Sequence, residues 1–335
     1  MAFNRYSVSL SHSFPSVSNK LHKGTETRLT LPGVSQKHVP EFSLDITEGR
    51  IPHTFFWCGH AFADLFITAT FAGHLKKEHS EKAAYGEDDV LVFASDGSAC
   101  ASNFPGRVIY LNGEPYKRDE VPDGALYIGP KILHSGHSIQ LFYVSLAALE
   151  VGLESSRPKG SRTHFLIYTT SNCVRQREKA FNMLATVDKV TAAGACHGNV
   201  SHENVRSVEQ KGSWQTNINL FRDYKFALVM ESTYLPGYVS EKILVAFLSG
   251  CIPIYFGTED VFQIFNERAF VYMNMSNPEP AILQIKTLHE SPEKYEVMAS
   301  MPMLAAGAKQ KFFEYSGELR EQIEYFLVHN RLNQN

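Results

Sequence analysis

A lysine stands where a loop rich in glycine and proline gives way to a helical pattern. The stretch YLPGYVSEKILVAFLSGCIPIYFG covers 234–257, and Ser240, Glu241 and Lys242 precede its apolar residues. A cation in the first turn of a helix costs a few tenths to about 1 kcal/mol, because the helix dipole is positive there. A bound phosphate would offset that cost, since free N–H groups at a helix N-terminus bind anions. An ordinary surface Glu–Lys pair is the alternative interpretation.

The residues around this segment predict a strand–helix–strand unit. An apolar run at 224–231 leads into the loop, and a second run follows the helix at 251–257. Gly250 ends the helical pattern, as expected of a residue that adopts the left-handed conformation without steric cost. Ser240 is a suitable N-cap, because its hydroxyl can accept a hydrogen bond from a free N–H. The lysine is therefore expected beyond the carboxyl end of a parallel strand.

Both halves of the chain alternate between strand and helix patterns. This alternation is typical of α/β domains with largely parallel sheets. A polar segment at 157–162 separates the halves, so we predict two Rossmann-like layers that face a cleft. Further strands are predicted at 89–95, 106–113, 124–130, 139–146 and 163–171, and helices at 61–77, 175–187, 241–249 and 316–330.

Composition argues against several classes of protein. The formal net charge is −3 without a visible basic patch, so no nucleic-acid partner is expected. No apolar run reaches the roughly 18 residues of a membrane-spanning helix, so no transmembrane segment is expected in this chain. The serine-rich first residues lack the apolar core of a secretory signal. The chain is expected to be soluble and cytoplasmic, or luminal, as in the Golgi, if it is a fragment without its anchor.

The cysteines give no pairing signal in the sequence. They are odd in number, widely spaced and free of any CxxC pair. We therefore predict buried free thiols rather than a disulfide framework or a zinc site. The residues concerned are Cys58, Cys100, Cys173, Cys196 and Cys251.

Several nucleotide and metal motifs are missing from the sequence. GxGxxG, GxxxxGK[ST], GxSxG, HExxH and DxD do not occur. His134 and His137 form an HxxH pair without a third ligand nearby in sequence. We therefore predict no metal site.

One long segment resembles a known signature. YKFALVMESTYLPGYVSEKILVAFLSGCIPIYFG, at 224–257, is similar to the donor-binding segment of the α1,3/1,4-fucosyltransferases of glycosyltransferase family 10. Ser232 stands where that family has asparagine, and Ser240 replaces a threonine. The matching positions are Tyr224, Lys225, Phe226, Leu228, Glu231, Tyr238, Val239, Glu241, Lys242, Ala246, Gly250, Pro253 and Gly257.

The resemblance extends to two other segments and implies residue roles. SNCVRQREKAFNML, at 171–184, is similar to the segment whose arginine contacts the donor phosphates, which points to Arg177, with Arg175 as the alternative. GRVIYLNGEPY, at 106–116, resembles a strand that ends near a catalytic base, which points to Glu114. The donor-binding residues that the resemblance implies are Arg177, Glu231, Ser232, Tyr238, Glu241 and Lys242.

The resemblance also implies a fold and an activity. The expected fold is GT-B, with an N-terminal segment at 1–50 that is disordered or loosely packed, an acceptor-side domain at 51–157, a GDP-fucose-binding domain at 158–310 and a closing helix at 311–335. The expected activity is inverting transfer of fucose from GDP-fucose to a glycan hydroxyl, in an α1,3 linkage to N-acetylglucosamine, as in protein glycosylation. No cofactor is required, and stimulation by a divalent cation stays open. The alternatives are another nucleotide-sugar donor and a non-catalytic glycan- or nucleotide-binding protein.

Overall fold

The computed structural model contains two parallel β-sheets, each within an α/β layer. The structure describes residues 54–58, 76–78, 85–94, 101, 104–115, 123–130, 157–201, 203–204, 216–308, 310, 318–319, 321–323 and 325–327. The expectations for 1–50, for a strand at 139–146 and for His134 and His137 lie outside these residues.

The first sheet has the strand order β2-β1-β3-β4-β5, with all neighbours parallel. Lys76 and Lys77 belong to β2, so the helix predicted to run through them is wrong at that end. They pair with Phe55 and Phe56 of β1, and a search for helical periodicity cannot detect such a pairing. The strands are β1 (Phe55–Cys58), β2 (Lys76–Glu78), β3 (Val90–Ala94), β4 (Arg107–Leu111) and β5 (Leu126–Ile128).

The second sheet has the order β11-β10-β9-β6-β7-β8, again with parallel neighbours. The chain leaves β6 toward β7 on one side and leaves β9 toward β10 on the other. The carboxyl ends of β6 and β9 therefore flank a topological switch point, where open α/β sheets bind ligands. The strands are β6 (His164–Tyr168), β7 (Val190–Ala192), β8 (Glu203–Asn204), β9 (Tyr224–Leu228), β10 (Ile252–Tyr255) and β11 (Val271–Tyr272).

Two helices begin beside that switch point. The first, α1, follows β6, and α3 follows β9, so both N-termini lie at the carboxyl edge of the sheet. The helices are α1 (Arg175–Leu184), α2 (Thr216–Phe221), α3 (Lys242–Ser249), α4 (Glu279–Glu290) and α5 (Pro292–Ala299), and 3₁₀ turns cover Glu259–Gln263 and Glu267–Ala269.

Helix α3 is buried on nearly all sides, which fixes its first turn. Val245 and Ala246 pack with the β9 residue Ala227, while Ile243 and Phe247 pack in a separate cluster on the other side. The helix ends as predicted, because Gly250 has a φ of 86° and a Cβ at this position would collide with the Arg162 guanidinium. The apolar packing therefore holds the N-terminus of α3 at the switch point.

The closing segment returns to the first sheet. Residues 318–319, 321–323 and 325–327 are helical, in agreement with the predicted pattern. Leu319, Ile323, Phe326 and Leu327 bury their side chains against the face of the first sheet that carries Val90, Val92, Ile109 and Leu111. No helix among the described residues has the length and apolar character needed to cross a membrane.

The prediction of free cysteines is wrong for three of the five. Cys173 and Cys196 form a disulfide, with their Cα atoms 5.2 Å apart, and Cys58 is disulfide-bonded as well. Cys173 follows β6 and Cys196 follows β7, and the parallel pairing of these strands brings the two loops together. Sequence spacing cannot reveal that approach. Cys251 is free and buried, and burial raises the pKa of its thiol to about 11.

Candidate functional site

The loop between β9 and α3 closes around a buried carboxylate. Glu231 is fully buried, and its Oε1 accepts hydrogen bonds from the Ser240 backbone N–H at 2.7 Å and from the Ser240 hydroxyl at 2.8 Å. The Tyr255 hydroxyl donates to the same oxygen at 3.3 Å. Ser240 therefore does not cap the helix as predicted. Glu241 occupies the N-cap position, and the Ser240 hydroxyl is bound to the carboxylate.

Lys242 has two anionic neighbours within the chain. Its Nζ donates to the Ser240 hydroxyl at 2.8 Å and lies 3.6 Å from Glu231 Oε2 and 3.8 Å from Glu241 Oε1. Burial lowers the pKa of Lys242, but the charges of Glu241 and Glu231 outweigh that effect and raise it above its usual value. The ammonium group therefore stays charged, and 31% of the side chain remains exposed to meet a ligand.

Arg177 lies on α1 and is held by backbone carbonyls. Its side chain is buried, with Nε donating to the Met230 carbonyl at 2.9 Å and Nη1 donating to Thr170 Oγ1 and to the Asn172 carbonyl, each at 3.3 Å. No described residue accepts a hydrogen bond from Nη2. Arg175, the alternative from the sequence, is exposed on the first turn of the same helix.

The two cations act on each other. The charge of Arg177 opposes the raised pKa of Lys242, so the groups lie within electrostatic reach. Like charges at short range are unfavourable unless an anion lies between or beside them. One comes from the end of β6 and the other from the end of β9, so the fold brings together two cations that the sequence separates.

Tyr238 and Ser232 complete the loop beside Lys242. Tyr238 is buried, and the Ser232 side chain lies close enough to influence its hydroxyl. Burial raises the pKa of Tyr238, and the charges of Glu231 and Glu114 add to this against the opposing charge of Lys242. The phenol therefore stays protonated and can act as a hydrogen-bond donor.

Glu114 follows β4 of the first sheet. Its backbone N–H donates to Asn112 Oδ1 at 3.1 Å, and Asn112 is itself fully buried with its Nδ2 donating to the Tyr127 hydroxyl. This turn fixes the backbone at Glu114, while the residue is only partly buried. Its charge acts on Tyr238, in the loop between β9 and α3, so Glu114 lies near the predicted donor residues.

Sequence reasoning missed the residues that hold the loop in shape. Gln176 Nε2 donates to the carbonyls of Glu231 at 3.4 Å and Ser232 at 3.3 Å. Asp260 accepts from the Gly237 N–H at 2.7 Å and from the Thr258 hydroxyl at 2.8 Å. Gln176 lies next to a predicted residue, and Asp260 follows a predicted strand, but only the folded loop reveals their partners.

The site offers cations, hydroxyls and carboxylates rather than a metal cluster. Among the described residues, no group of three or more His, Cys, Asp or Glu side chains could hold a metal ion. Arg177 and Lys242 can bind a diphosphate, since the first presents a planar fork and the second a point charge. A carboxylate on the other sheet could accept a proton from a hydroxyl bound between the sheets.

Comparisons with known proteins agree with this chemistry. Residues 159–298 match the family model glycosyltransferase family 10 (fucosyltransferase), C-terminal. A fucosyltransferase-like protein of Acanthamoeba polyphaga mimivirus is 28% identical over 145 residues, which cover 42% of this chain and 24% of that protein. The α-(1,3)-fucosyltransferase of Helicobacter pylori is 30% identical over 140 residues, which cover 41% of this chain and 27% of that protein. The matches thus span about a quarter of the length of these relatives.

A solved structure shares the fold of nearly the whole chain. The crystal structure of an α1,3-fucosyltransferase with GDP-fucose aligns with a TM-score of 0.56 at 17% identity and covers 84% of this chain and 93% of that one. The predicted GT-B fold is therefore confirmed.

Proposed function

We propose that this chain, whose residues 159–298 match the glycosyltransferase family 10 C-terminal model, transfers fucose from GDP-fucose to a hydroxyl of an acceptor glycan. The observation that carries the proposal is the approach of Arg177 and Lys242 at the switch point of the second sheet. Two neighbouring cations at a helix N-terminus suit the diphosphate of a nucleotide sugar. The resemblance of residues 224–257 to a GDP-fucose signature supplies the identity of the donor.

The cations bind the donor and stabilise the leaving group. The Arg177 guanidinium is already fixed at Nε and Nη1, which leaves Nη2 to donate to a phosphate oxygen. The Lys242 ammonium adds a second positive charge. Glu241 and Glu231 raise its pKa and so keep the amine protonated. Negative charge on the β-phosphate grows as the bond to fucose breaks, so fixed cations there lower the barrier.

Glu114 is the general base in this proposal. The acceptor oxygen forms a bond to the anomeric carbon of fucose while the bond from that carbon to the β-phosphate oxygen breaks. The electron pair leaves with GDP, the hydroxyl proton passes to the Glu114 carboxylate, and the configuration at the anomeric carbon inverts. Support comes from the electrostatic effect of Glu114 on Tyr238, which lies in the loop between β9 and α3.

The remaining site residues hold the sugars of the donor. Tyr238 can donate a hydrogen bond from its protonated phenol, and Glu241 can accept hydrogen bonds from sugar hydroxyls at the start of α3. Ser232 presents a hydroxyl where the family has an asparagine, and this hydroxyl lies close to Tyr238. This difference favours a second candidate, in which the same site accepts another nucleotide sugar.

The disulfides favour the luminal alternative for the compartment. Cys173–Cys196 and the bonded Cys58 require an oxidising environment such as the lumen of the secretory pathway. The cytoplasmic expectation came from the lack of an apolar signal or membrane-spanning run in the sequence, and the disulfides are an independent observation that weighs against it. The redox state of the cysteines can be measured by mass spectrometry. The protein from its native source is alkylated before reduction, so that only free thiols are labelled. Alkylation of Cys173 and Cys196 before reduction would show free thiols and would favour a reducing compartment.

Two measurements test the function. Calorimetry with GDP, GDP-fucose, GDP-mannose and UDP-galactose identifies the donor, and we expect GDP and GDP-fucose to bind most tightly. A glycan array incubated with GDP-fucose then identifies acceptors, with transfer to N-acetylglucosamine-containing glycans expected as an α1,3 linkage. Tight GDP binding without transfer to any acceptor would point to a non-catalytic protein. Preference for a different nucleotide sugar would support the second candidate.

A further inference from the structure

The Cys173–Cys196 disulfide lies next to the turn that holds Arg177. Cys173 is exposed and precedes Val174, the N-cap residue of α1, whereas Cys196 is buried. Asn172, adjacent to Cys173, uses its carbonyl to accept hydrogen bonds from Arg177 Nη1 at 3.3 Å and from the Val174 N–H at 2.9 Å. The disulfide therefore joins a turn at the surface to a buried anchor.

The turn depends on the disulfide more than the helix does. Ser171, Asn172 and Cys173 are all exposed, so little side-chain burial stabilises this segment. Helix α1 has its own connections to the loop after β7, because Glu178 accepts from the Gly198 N–H and Asn182 accepts from the Asn199 N–H. Opening the disulfide would leave the helix in place and release the turn beside it.

The guanidinium of Arg177 has two independent supports. Nε is bound to the Met230 carbonyl at the end of β9, and Nη1 is bound to Thr170 and Asn172 in the turn. If the turn moves, only the support at Nε remains, and the plane of the guanidinium can rotate about it. The direction of Nη2, the nitrogen proposed to reach a phosphate, would then no longer be fixed.

We infer that the Cys173–Cys196 disulfide is a positioning group that fixes Arg177 for binding the donor diphosphate. The inference rests on the proposed function. A dithiol reductant would convert the disulfide to two protein thiols and become a disulfide itself, and a small-molecule disulfide would restore the bond while being reduced to thiols. Donor affinity would then depend on the redox state of a bond that does not contact the donor.

A double-mutant cycle tests whether the disulfide acts through the arginine. Cys173→Ser opens the bond at its exposed end and leaves the buried thiol of Cys196. We expect a rise of roughly threefold to tenfold in the Kd for GDP, the scale of one or two lost hydrogen bonds. In an Arg177→Ala background the same change should have no further effect, because coupled residues are not additive. Equal effects in both backgrounds would overturn the inference.

Chemical reduction and NMR test the same inference in the parent protein, without a substitution at Cys173. Dithiothreitol should weaken GDP binding to the parent protein and leave Cys173→Ser unchanged, which separates this disulfide from the one at Cys58. The guanidinium NMR signals of Arg177, assigned by their loss in Arg177→Lys, should be resolved in the oxidised protein and merge on reduction. Unchanged signals would overturn the inference, whereas merging signals without GDP binding to the parent would count against the proposed function alone.

Discussion

The carboxylate of Glu231, at the end of β9, lies 3.6 Å from the ammonium group of Lys242, at the start of α3. A loop separates the two residues in sequence, and Ser240 bridges them by hydrogen-bonding to both. The pair thus compensates a cation at the positive end of a helix dipole before any ligand arrives. This arrangement keeps the lysine protonated and directs it toward the switch point.

Lys242→Ala should weaken GDP binding. A charge-assisted contact is worth about 1.5–3 kcal/mol, so the Kd should rise roughly 10- to 150-fold, with a parallel fall in transfer rate. Calorimetry measures the first and a transfer assay the second. Lys286→Ala, on the exposed face of α4, is the matched control and should bind GDP normally. Unchanged GDP affinity in folded Lys242→Ala would remove this residue from the site.

Arg177→Ala should have a similar effect on GDP binding, whereas Arg175→Ala should be mild. Arg177 is buried and fixed by carbonyls, whereas Arg175, two residues earlier in the same helix, is exposed. Both variants remove one positive charge. The ratio of their Kd values for GDP therefore reports the position of the arginine rather than the change in net charge. A larger loss in Arg175→Ala would assign the phosphate contact to the exposed residue.

Glu231→Gln should destabilise the fold and shift the titration of Lys242. Breaking a buried ion pair costs about 3–5 kcal/mol, to be measured by urea unfolding. The folded-state pKa of Lys242 is raised above its unfolded value near 10.4, so its favourable contribution is complete below that pH and is lost as the pH rises through the folded pKa.

The same variant has a pH signature in binding. Removing the Glu231 charge lowers the folded pKa of Lys242, so GDP affinity should begin to fall at a lower alkaline pH than in the parent. Calorimetry between about pH 9 and 12 measures this difference, because Lys242 of the parent titrates above the unfolded value near 10.4. Identical pH profiles in parent and variant would show that the ion pair does not control the protonation of Lys242.

Glu114→Gln should reduce turnover and leave donor binding intact. The amide keeps the size of the carboxylate but cannot accept the acceptor proton, and loss of a general base typically costs about 10²–10⁴ in rate. The Kd for GDP-fucose should stay near that of the parent. Glu87→Gln, in an exposed turn of the same layer before β3, is the control. Transfer at the parental rate by Glu114→Gln would move the search for the base to Asp119, Glu120 and Asp123.

Chelation with EDTA should leave a substantial part of the activity. In the proposed mechanism Arg177 and Lys242 meet the charge of the leaving group, and the sequence has no DxD motif to hold a metal on the diphosphate. Activity before and after EDTA treatment, with magnesium or manganese restored, measures the requirement. Complete loss that is rescued by a divalent ion would assign the leaving-group charge to a metal.

Local patterns in the sequence predicted the elements that carry the site. The helix after β9 and its end at Gly250 follow from periodicity and glycine chemistry, and both are confirmed. The resemblance implied Arg177 and Lys242, and the structure places them within electrostatic reach of each other.

Long-range partners could not be predicted from local patterns. The hydroxyl of Ser240 suits a helix cap, but a nearby buried carboxylate competes for it, and the Glu231 position depends on loop closure. The pairing of Cys173 with Cys196 depends on the adjacency of β6 and β7. The two cysteines meet because β6 and β7 are parallel neighbours, whereas Glu231 and Ser240 meet because the loop after β9 closes on itself.

The packing of residues 319–327 against the first sheet has a consequence for biosynthesis. The apolar face formed by β3 and β4 emerges from the ribosome long before the helix that covers it. At a synthesis rate of roughly 5–20 residues per second, that face stays exposed for on the order of ten seconds or more before the closing helix is made. During this interval it is open to chaperones and to nascent neighbours. A stop codon before Leu319 would therefore cause aggregation of the N-terminal layer, although every strand of that layer had been translated.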